Sequence, residues 1–152
     1  MAGKLRGRIL VVEDDPDTSL ALSLLLRLEG FEVTVADDGR QAYRSSLANP
    51  PDLVVTDLSM PVMSGFELIE AFRHAPLLQD VPIVVVSAFE RVQLQTASRL
   101  GAVAVYQKPL DFERFLTAIG ALLSTQGPRK APGSGRRPHD LEPRLDSSSR
   151  SF

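Results

Sequence analysis

The sequence predicts an α/β fold: a parallel five-stranded sheet covered by helices on both faces. Three observations carry this. Residues 9–12, 53–56 and 83–86 are apolar, β-branched-rich runs with no polar alternation, the pattern of strands buried on both faces. Segments of helical period separate them, and strictly alternating strands and helices leave a right-handed parallel arrangement as the simple solution. Several strand runs also stop at a charged or hydroxyl residue, which in open α/β sheets falls in the ligand-binding crevice at the strands' carboxyl ends.

Taken in order, residues 8–12 form the first strand and end in Glu13, Asp14 and Asp15 before Pro16. Asp15 suits an N-cap with proline at the first helical position. The helix that follows runs to about residue 29, where Gly30 stops it. Its apolar spacing puts Leu20, Ala21, Leu24, Leu25 and Leu28 on the core side and leaves Leu22 and Leu26 off that face. The last two are expected to be exposed, with a docking surface as one use for them. Residues 31–36 alternate weakly and read as the second strand; Asp38 and Gln41 then offer a capping pattern for a helix to about residue 48.

The third strand, 53–56, stops at Asp57. An irregular loop, 60–65, leads to a helix over 66–75, opened by a Ser64/Glu67 capping box and bearing apolar Phe66, Leu68, Ile69 and Phe72. Residues 81–87 form the fourth strand, with Pro82 tolerable only near its start. A more polar helix over 90–100 closes at Gly101, and Ser87 with Glu90 has the spacing of another capping box. The fifth strand is 103–106, followed by Lys108-Pro109. The last helix spans 111–123, with Asp111 as N-cap and Phe112, Phe115, Leu116, Ile119 and Leu122 on its core side. The flavodoxin-like order 2-1-3-4-5 is expected.

At 152 residues, 43% hydrophobic and 24% charged, the chain has material for one core. The expected organisation is a short leader (1–7), one folded domain (8–124) and a disordered basic Pro/Gly/Ser/Arg-rich tail (125–152). The formal net charge of -2 hides an asymmetry: residues 1–124 hold 11 Lys+Arg against 16 Asp+Glu, and 125–152 hold 6 against 3. An acidic folded part argues against nucleic acid as its ligand. No cysteine is present, so thiolate metal sites and disulfides are excluded. No stretch reaches the roughly 20 apolar residues of a membrane span, and no secretory signal is visible, so a cytoplasmic location is expected.

In the expected order the first and third strands are neighbours, which brings Glu13, Asp14 and Asp57 to one edge of the cleft. Like charges raise one another's pKa, so a cation must sit among them. Oxygen ligands without His or Cys suit Mg²⁺ or Mn²⁺. Lys108 supplies a fixed positive charge from the fifth strand, and Ser87 a hydroxyl from the fourth. A metal, an ammonium and a hydroxyl around one carboxylate make a site for a phosphoryl group, with Asp57 as its nucleophilic acceptor.

Residues 9–16, 57–65, 84–88 and 101–109 together resemble the receiver domain of two-component response regulators, over about residues 7–124. The resemblance implies that Asp57 accepts a phosphoryl group from a histidine kinase or histidine phosphotransfer protein. It implies Asp14 as a direct Mg²⁺ ligand, Glu13 as one through water, and the Ser59 backbone carbonyl as the remaining protein ligand. Ser87 and Lys108 would grip the phosphoryl oxygens, and the Lys108-Pro109 bond would be cis. A downstream partner, or a second copy in a homodimer, would bind the face of the fourth helix, fifth strand and fifth helix.

Two positions depart from the family pattern. Val105 stands where an aromatic switch residue is usual, with Tyr106 pointing to the opposite sheet face, and Phe89 places a bulky ring two residues after Ser87. Two other functions fit parts of the pattern. One is a partner-binding scaffold that works without phosphorylation. The other is a Mg²⁺-dependent phosphatase with an Asp nucleophile, whose usual second Asp two residues on is here Ser59.

Overall fold

The computed structural model describes residues 6–126; the rest of the leader and the basic segment from residue 127 lie outside the described residues. Ten elements alternate without exception: β1 (Arg8–Val12), α1 (Pro16–Leu28), β2 (Glu32–Ala36), α2 (Gly39–Ala48), β3 (Leu53–Thr56), α3 (Gly65–His74), β4 (Ile83–Ser87), α4 (Arg91–Leu100), β5 (Ala104–Gln107) and α5 (Phe112–Gln126). All four strand pairings are parallel, in the order β2-β1-β3-β4-β5. The flavodoxin-like order read from the sequence is the one found. The last helix runs three residues past its expected end.

Every residue of β3 and β4 is buried, as runs without polar alternation require. The sheet has a core on each face. Leu10, Val12, Val54 and Val85 face Leu68, Ile69 and Phe72 of α3, Ala42 of α2 and Leu94 of α4. On the other face, Ile9, Val11, Val55 and Val84 meet Leu26 of α1 and Phe115 and Ile119 of α5. Val105 packs on the first core and Tyr106 on the second, as strand alternation demands. The Tyr106 ring stands edge-on to Phe115, 5.7 Å between centroids.

Helix starts follow their caps. Asp15 accepts from the Thr18 amide, Asp38 from the Gln41 amide and Asp111 from the Arg114 amide. Both bonds of the Ser64/Glu67 capping box are made. The second expected box is not: Glu90 is the N-cap of α4 and makes no side-chain cap bond. Ser87 instead ends β4 and its Oγ accepts from the Phe89 amide at 3.3 Å.

Helix α1 is turned opposite to the sequence expectation. Leu26 is fully buried and Leu22 packs beside it against the core, while Leu20, Leu24, Leu25 and Leu28 are exposed, the last by 81%. The other buried positions of this helix are Ser19 and Ser23. Small serines let α1 lie close against the sheet, and Ser23 Oγ donates to the Leu20 carbonyl, which satisfies the buried hydroxyl. A close helix approach won over apolar count.

Arg73 ties α3 to the far end of α4. Its guanidinium donates to the carbonyls of Gly101 (2.7 Å from Nη2), Gln79 and Val81. Gly101 adopts a φ of 128°, and a Cβ there would come within 2.7 Å of Arg73 Nε. Burial lowers the Arg73 pKa, opposed by the charge of Asp80.

Candidate functional site

The parallel register sets the site. Val12 of β1 pairs with Thr56 of β3, and Thr56 with Val85 of β4. Glu13 and Asp57 therefore emerge side by side, and β4 and β5 bring Ser87 level with Gln107, one residue before Lys108. The Asp57 amide donates to the Val12 carbonyl at 3.1 Å, which fixes the Asp57 backbone against β1.

Lys108 is the cation among the acids. Its Nζ lies 3.1 Å from Asp57 Oδ2 and 3.2 Å from Glu13 Oε1, with side-chain exposures of 29% for the lysine, 10% for Asp57 and 7% for Glu13. Asp57 Oδ1 accepts from the Leu58 amide at 2.6 Å and the Ser59 amide at 3.3 Å, so both carboxylate oxygens are held and the group's plane is set before any ligand arrives. Glu13 Oε2 accepts from the Asp15 amide at 3.1 Å.

The protonation equilibria follow from this packing. Burial raises the Glu13 pKa, the Asp15 amide opposes it, the charge of Asp57 raises it further and Lys108 opposes it; the net direction is up. Burial pulls Lys108 down, but the hydrogen bond and charge of Asp57, then those of Glu13, outweigh it and leave the ammonium above its ordinary value. The lysine thus stays charged through the whole physiological range.

The loop between β3 and α3 is packed too tightly for side chains at two glycines. A Cβ on Gly65 would lie 2.2 Å from the Asp57 carbonyl oxygen, and one on Gly39 would lie 2.6 Å from the Met63 carbonyl oxygen. The Gly39 amide donates to that Met63 carbonyl at 3.1 Å, so the loop is stitched to the start of α2. Between them Val62 is held at a φ of +68°, unusual for a β-branched residue, under a Met63 amide bond to the Pro61 carbonyl. The Lys108-Pro109 bond is cis.

The donors for a cation are all oxygens. Glu13 and Asp57 face each other across Lys108, Asp14 is exposed and unpaired among the described residues, and Ser59 follows two residues after Asp57. Among the described residues no group of three or more His, Cys, Asp and Glu side chains converges into a ready cage. The expected convergence of Glu13, Asp14 and Asp57 is therefore not made: Glu13 and Asp57 meet through Lys108 while Asp14 stays exposed, and the donors, all oxygens, are of the kind a hard cation such as Mg²⁺ takes. His74 is exposed, with Nδ1 against the Glu70 carbonyl.

Residues 9–120 match the family model of the response regulator receiver domain. The chain belongs to that family. The receiver is 40% identical over 121 residues to transcriptional regulatory protein PrrA of Mycobacterium tuberculosis, an alignment covering 79% of this chain and 51% of that protein. It therefore spans about half the length of this relative. A probable chemotaxis protein CheY of Rhizobium etli is 33% identical over 117 residues, covering 76% of this chain and 91% of its own. Among solved structures, a putative response regulator from Chloroflexus aurantiacus superposes with a TM-score of 0.76 at 27% identity, over 80% of this chain and 99% of that one. The response regulator TrrA of Thermotoga maritima, solved with Mg²⁺ and BeF, gives 0.69 at 29% identity, over 76% and 98%. No helix among the described residues is long and apolar enough to cross a membrane.

Of the residues the sequence singled out, the structure brings Glu13 and Asp57 into contact with Lys108, and does not bring Asp14 into that group. It places Ser87, 1% exposed, at the end of the neighbouring strand, with its hydroxyl engaged by the Phe89 amide. Nothing in the sequence beyond residue type marks Gly39 and Gly65 as leaving room for the loop after Asp57. Sequence reasoning also missed Gln107, whose Nε2 donates to the Phe89 carbonyl at 3.1 Å. A polar residue beside the lysine gave no hint of that partner.

Proposed function

We propose that this receiver accepts a phosphoryl group on Asp57 from the phosphohistidine of a histidine kinase or phosphotransfer protein, and that the acyl phosphate changes which partner it binds. The observation that carries this reading is the Lys108 ammonium held between Asp57 and Glu13, at 3.1 and 3.2 Å. Two carboxylates with one ammonium still carry a net negative charge, so a further anionic group beside Asp57 calls for a divalent cation on the oxygen donors, with Lys108 as the fixed positive charge that reaches it.

In the step itself an Asp57 carboxylate oxygen attacks phosphorus, the bond from phosphorus to the donor nitrogen breaks, and the leaving imidazole takes a proton from solvent. Lys108 stays within reach of the equatorial oxygens as charge spreads over them, and the Leu58 and Ser59 amides keep the carboxylate oriented. Glu13, Asp14, Asp57 and the Ser59 carbonyl would hold Mg²⁺, which when bound neutralises phosphoryl charge. Ser87 donates to a phosphoryl oxygen. Water later attacks the same phosphorus, and Asp57 leaves as the carboxylate.

The donor's docking surface does not include Leu26, which lies in the core, or Leu22, which packs against the core. We place it on the exposed leucines of α1, Leu20, Leu24, Leu25 and Leu28, on the helix that starts beside the acids. The output surface is the α4/β5/α5 face, for a downstream protein or a second copy, and the site of action is the cytoplasm. Drawing Ser87 and Lys108 toward the phosphoryl group biases that face between two states.

The test is incubation with acetyl phosphate and Mg²⁺, followed by intact-mass measurement of wild type and Asp57→Asn. A phosphate adduct on the first alone supports the reading. No adduct with the small donor or with any histidine kinase would favour the scaffold function instead, and sustained turnover of free phosphate esters would favour the phosphatase.

A further inference from the structure

Phe89 is held at three points by three different elements. Its amide donates to Ser87 Oγ at the end of β4 (3.3 Å), its carbonyl accepts from Gln107 Nε2 on β5 (3.1 Å), and its ring stacks on Phe66 of α3 with centroids 6.1 Å and planes 19° apart. The consequence falls on Ser87. A hydroxyl has one proton to give and two acceptor sites. The Phe89 amide fills one acceptor site, and no acceptor among the described residues takes the proton. At 1% exposure, Ser87 has little water to supply one. Buried donors are normally satisfied, and a site where one is not invites an acceptor from a ligand.

We propose that Phe89, pinned by Gln107 and Phe66, is a positioning residue that fixes the Ser87 hydroxyl with its proton free for the phosphoryl oxygen. This rests on the phosphoryl-acceptor reading of Asp57. Val105 and Gln107 share one face of β5, because side chains two apart point the same way. Val105 brings neither a ring nor a polar group to the loop between β4 and α4, and Gln107 holds that loop by a backbone carbonyl. The hold is local: Gln107 is exposed, and its amide reaches across from the edge strand without being part of the core.

The test uses the full chain with acetyl phosphate and Mg²⁺, following the growth of the phosphate adduct by mass spectrometry in wild type, Gln107→Ala, Phe89→Ala, Phe89→Tyr, Ser87→Ala and Ser87→Ala with Gln107→Ala. Amide hydrogen exchange at Phe89 is read in the absence of donor. Gln107→Ala and Phe89→Ala should each slow uptake about tenfold, since small misplacements of a catalytic group are costly. Phe89→Tyr, which keeps the stack, should stay near wild type. The Phe89 amide should exchange faster in Gln107→Ala. In the Ser87→Ala background, removing Gln107 should cost nothing further, because its effect runs through the missing hydroxyl.

Should Phe89→Ala fail to fold, Gln107→Ala decides, its side chain being exposed. Wild-type uptake and exchange in Gln107→Ala overturn the inference alone. An undiminished Gln107 effect without Ser87 overturns it too. A wild-type chain that takes up no phosphoryl group removes the acceptor reading and this inference with it.

Discussion

Replacing Gly65 by alanine separates two physical effects of opposite sign. Gly65 is the first residue of α3, and its φ is not in the left-handed region, so alanine is conformationally permitted there. Helix propensity alone would make the variant more stable, by up to about 1 kcal/mol. Space says otherwise. The added methyl would lie 2.2 Å from the Asp57 carbonyl oxygen and 2.8 Å from Leu58 Cα, both backbone atoms that cannot swing aside. Restoring ordinary contact requires the chain at Asp57 and the start of α3 to part by about 1 Å, and overpacking of this kind typically costs about 1–3 kcal/mol. The clash outweighs the propensity gain, so the net change is destabilising by about 1–2 kcal/mol, or several degrees in Tm for a domain of this size. The functional effect should be larger than the structural one, since a shift of about 1 Å at a reacting group can cost about a hundredfold in rate. Thermal unfolding of Gly65→Ala beside wild type, with adduct growth from acetyl phosphate on the same samples, measures both. A variant with a higher Tm and unaltered uptake would refute the close-packing account of this loop.

Four further substitutions probe other parts of the molecule. Leu26→Ala should cost about 2–5 kcal/mol by leaving a cavity, whereas Leu24→Ala on the exposed side of α1 should stay within about 0.5 kcal/mol; equal losses in urea titrations would return the helix to its sequence-expected orientation. Val62 is 70% exposed at positive φ, so Val62→Asn should stabilise by about 1 kcal/mol through relief of backbone strain, checked by the same titrations; a loss of stability would show that the valine makes contacts worth more than the strain. Lys108 has a folded pKa raised above its ordinary 10.5, so the stability it contributes is complete below that value and lost as pH rises through the folded one. The difference in unfolding free energy between wild type and Lys108→Met, measured in a chelator, should therefore be constant from pH 7 to 10 and shrink above; a difference that grows with pH would contradict the ion-pair geometry.

Much of this was legible in the residues because each strand and each site residue announces itself locally. Leu53–Thr56 is buried on both faces and reads so from composition, and Asp57 follows it by one position. Once β1 and β3 are neighbours, their ends must meet, so Glu13 and Asp57 could be paired without coordinates. Caps at Asp15, Asp38, Ser64 and Asp111 were readable for the same reason, since their bonds span three residues. What failed were judgements needing knowledge of a partner surface. Helix α1 carries leucines around most of its circumference, and only the distance of close approach to the sheet, set by Ser19 and Ser23, selects which are buried. Ser87 with Glu90 had capping spacing, but the strand runs to Ser87 and its hydroxyl turns to Phe89. Nothing in the sequence marks Arg73, whose carbonyl partners at Gln79, Val81 and Gly101 are brought together only in the folded chain.

On the proposed reading one carboxylate, bridged by an ammonium and flanked by acids suited to a divalent cation, takes up a phosphoryl group. Intact-mass measurement after exposure to acetyl phosphate tests it most directly, with and without Mg²⁺. The account predicts one phosphate per wild-type chain, dependent on Mg²⁺, absent in Asp57→Asn and strongly reduced in Lys108→Ala. An adduct that persists in Asp57→Asn, or forms equally well in excess chelator, would contradict it.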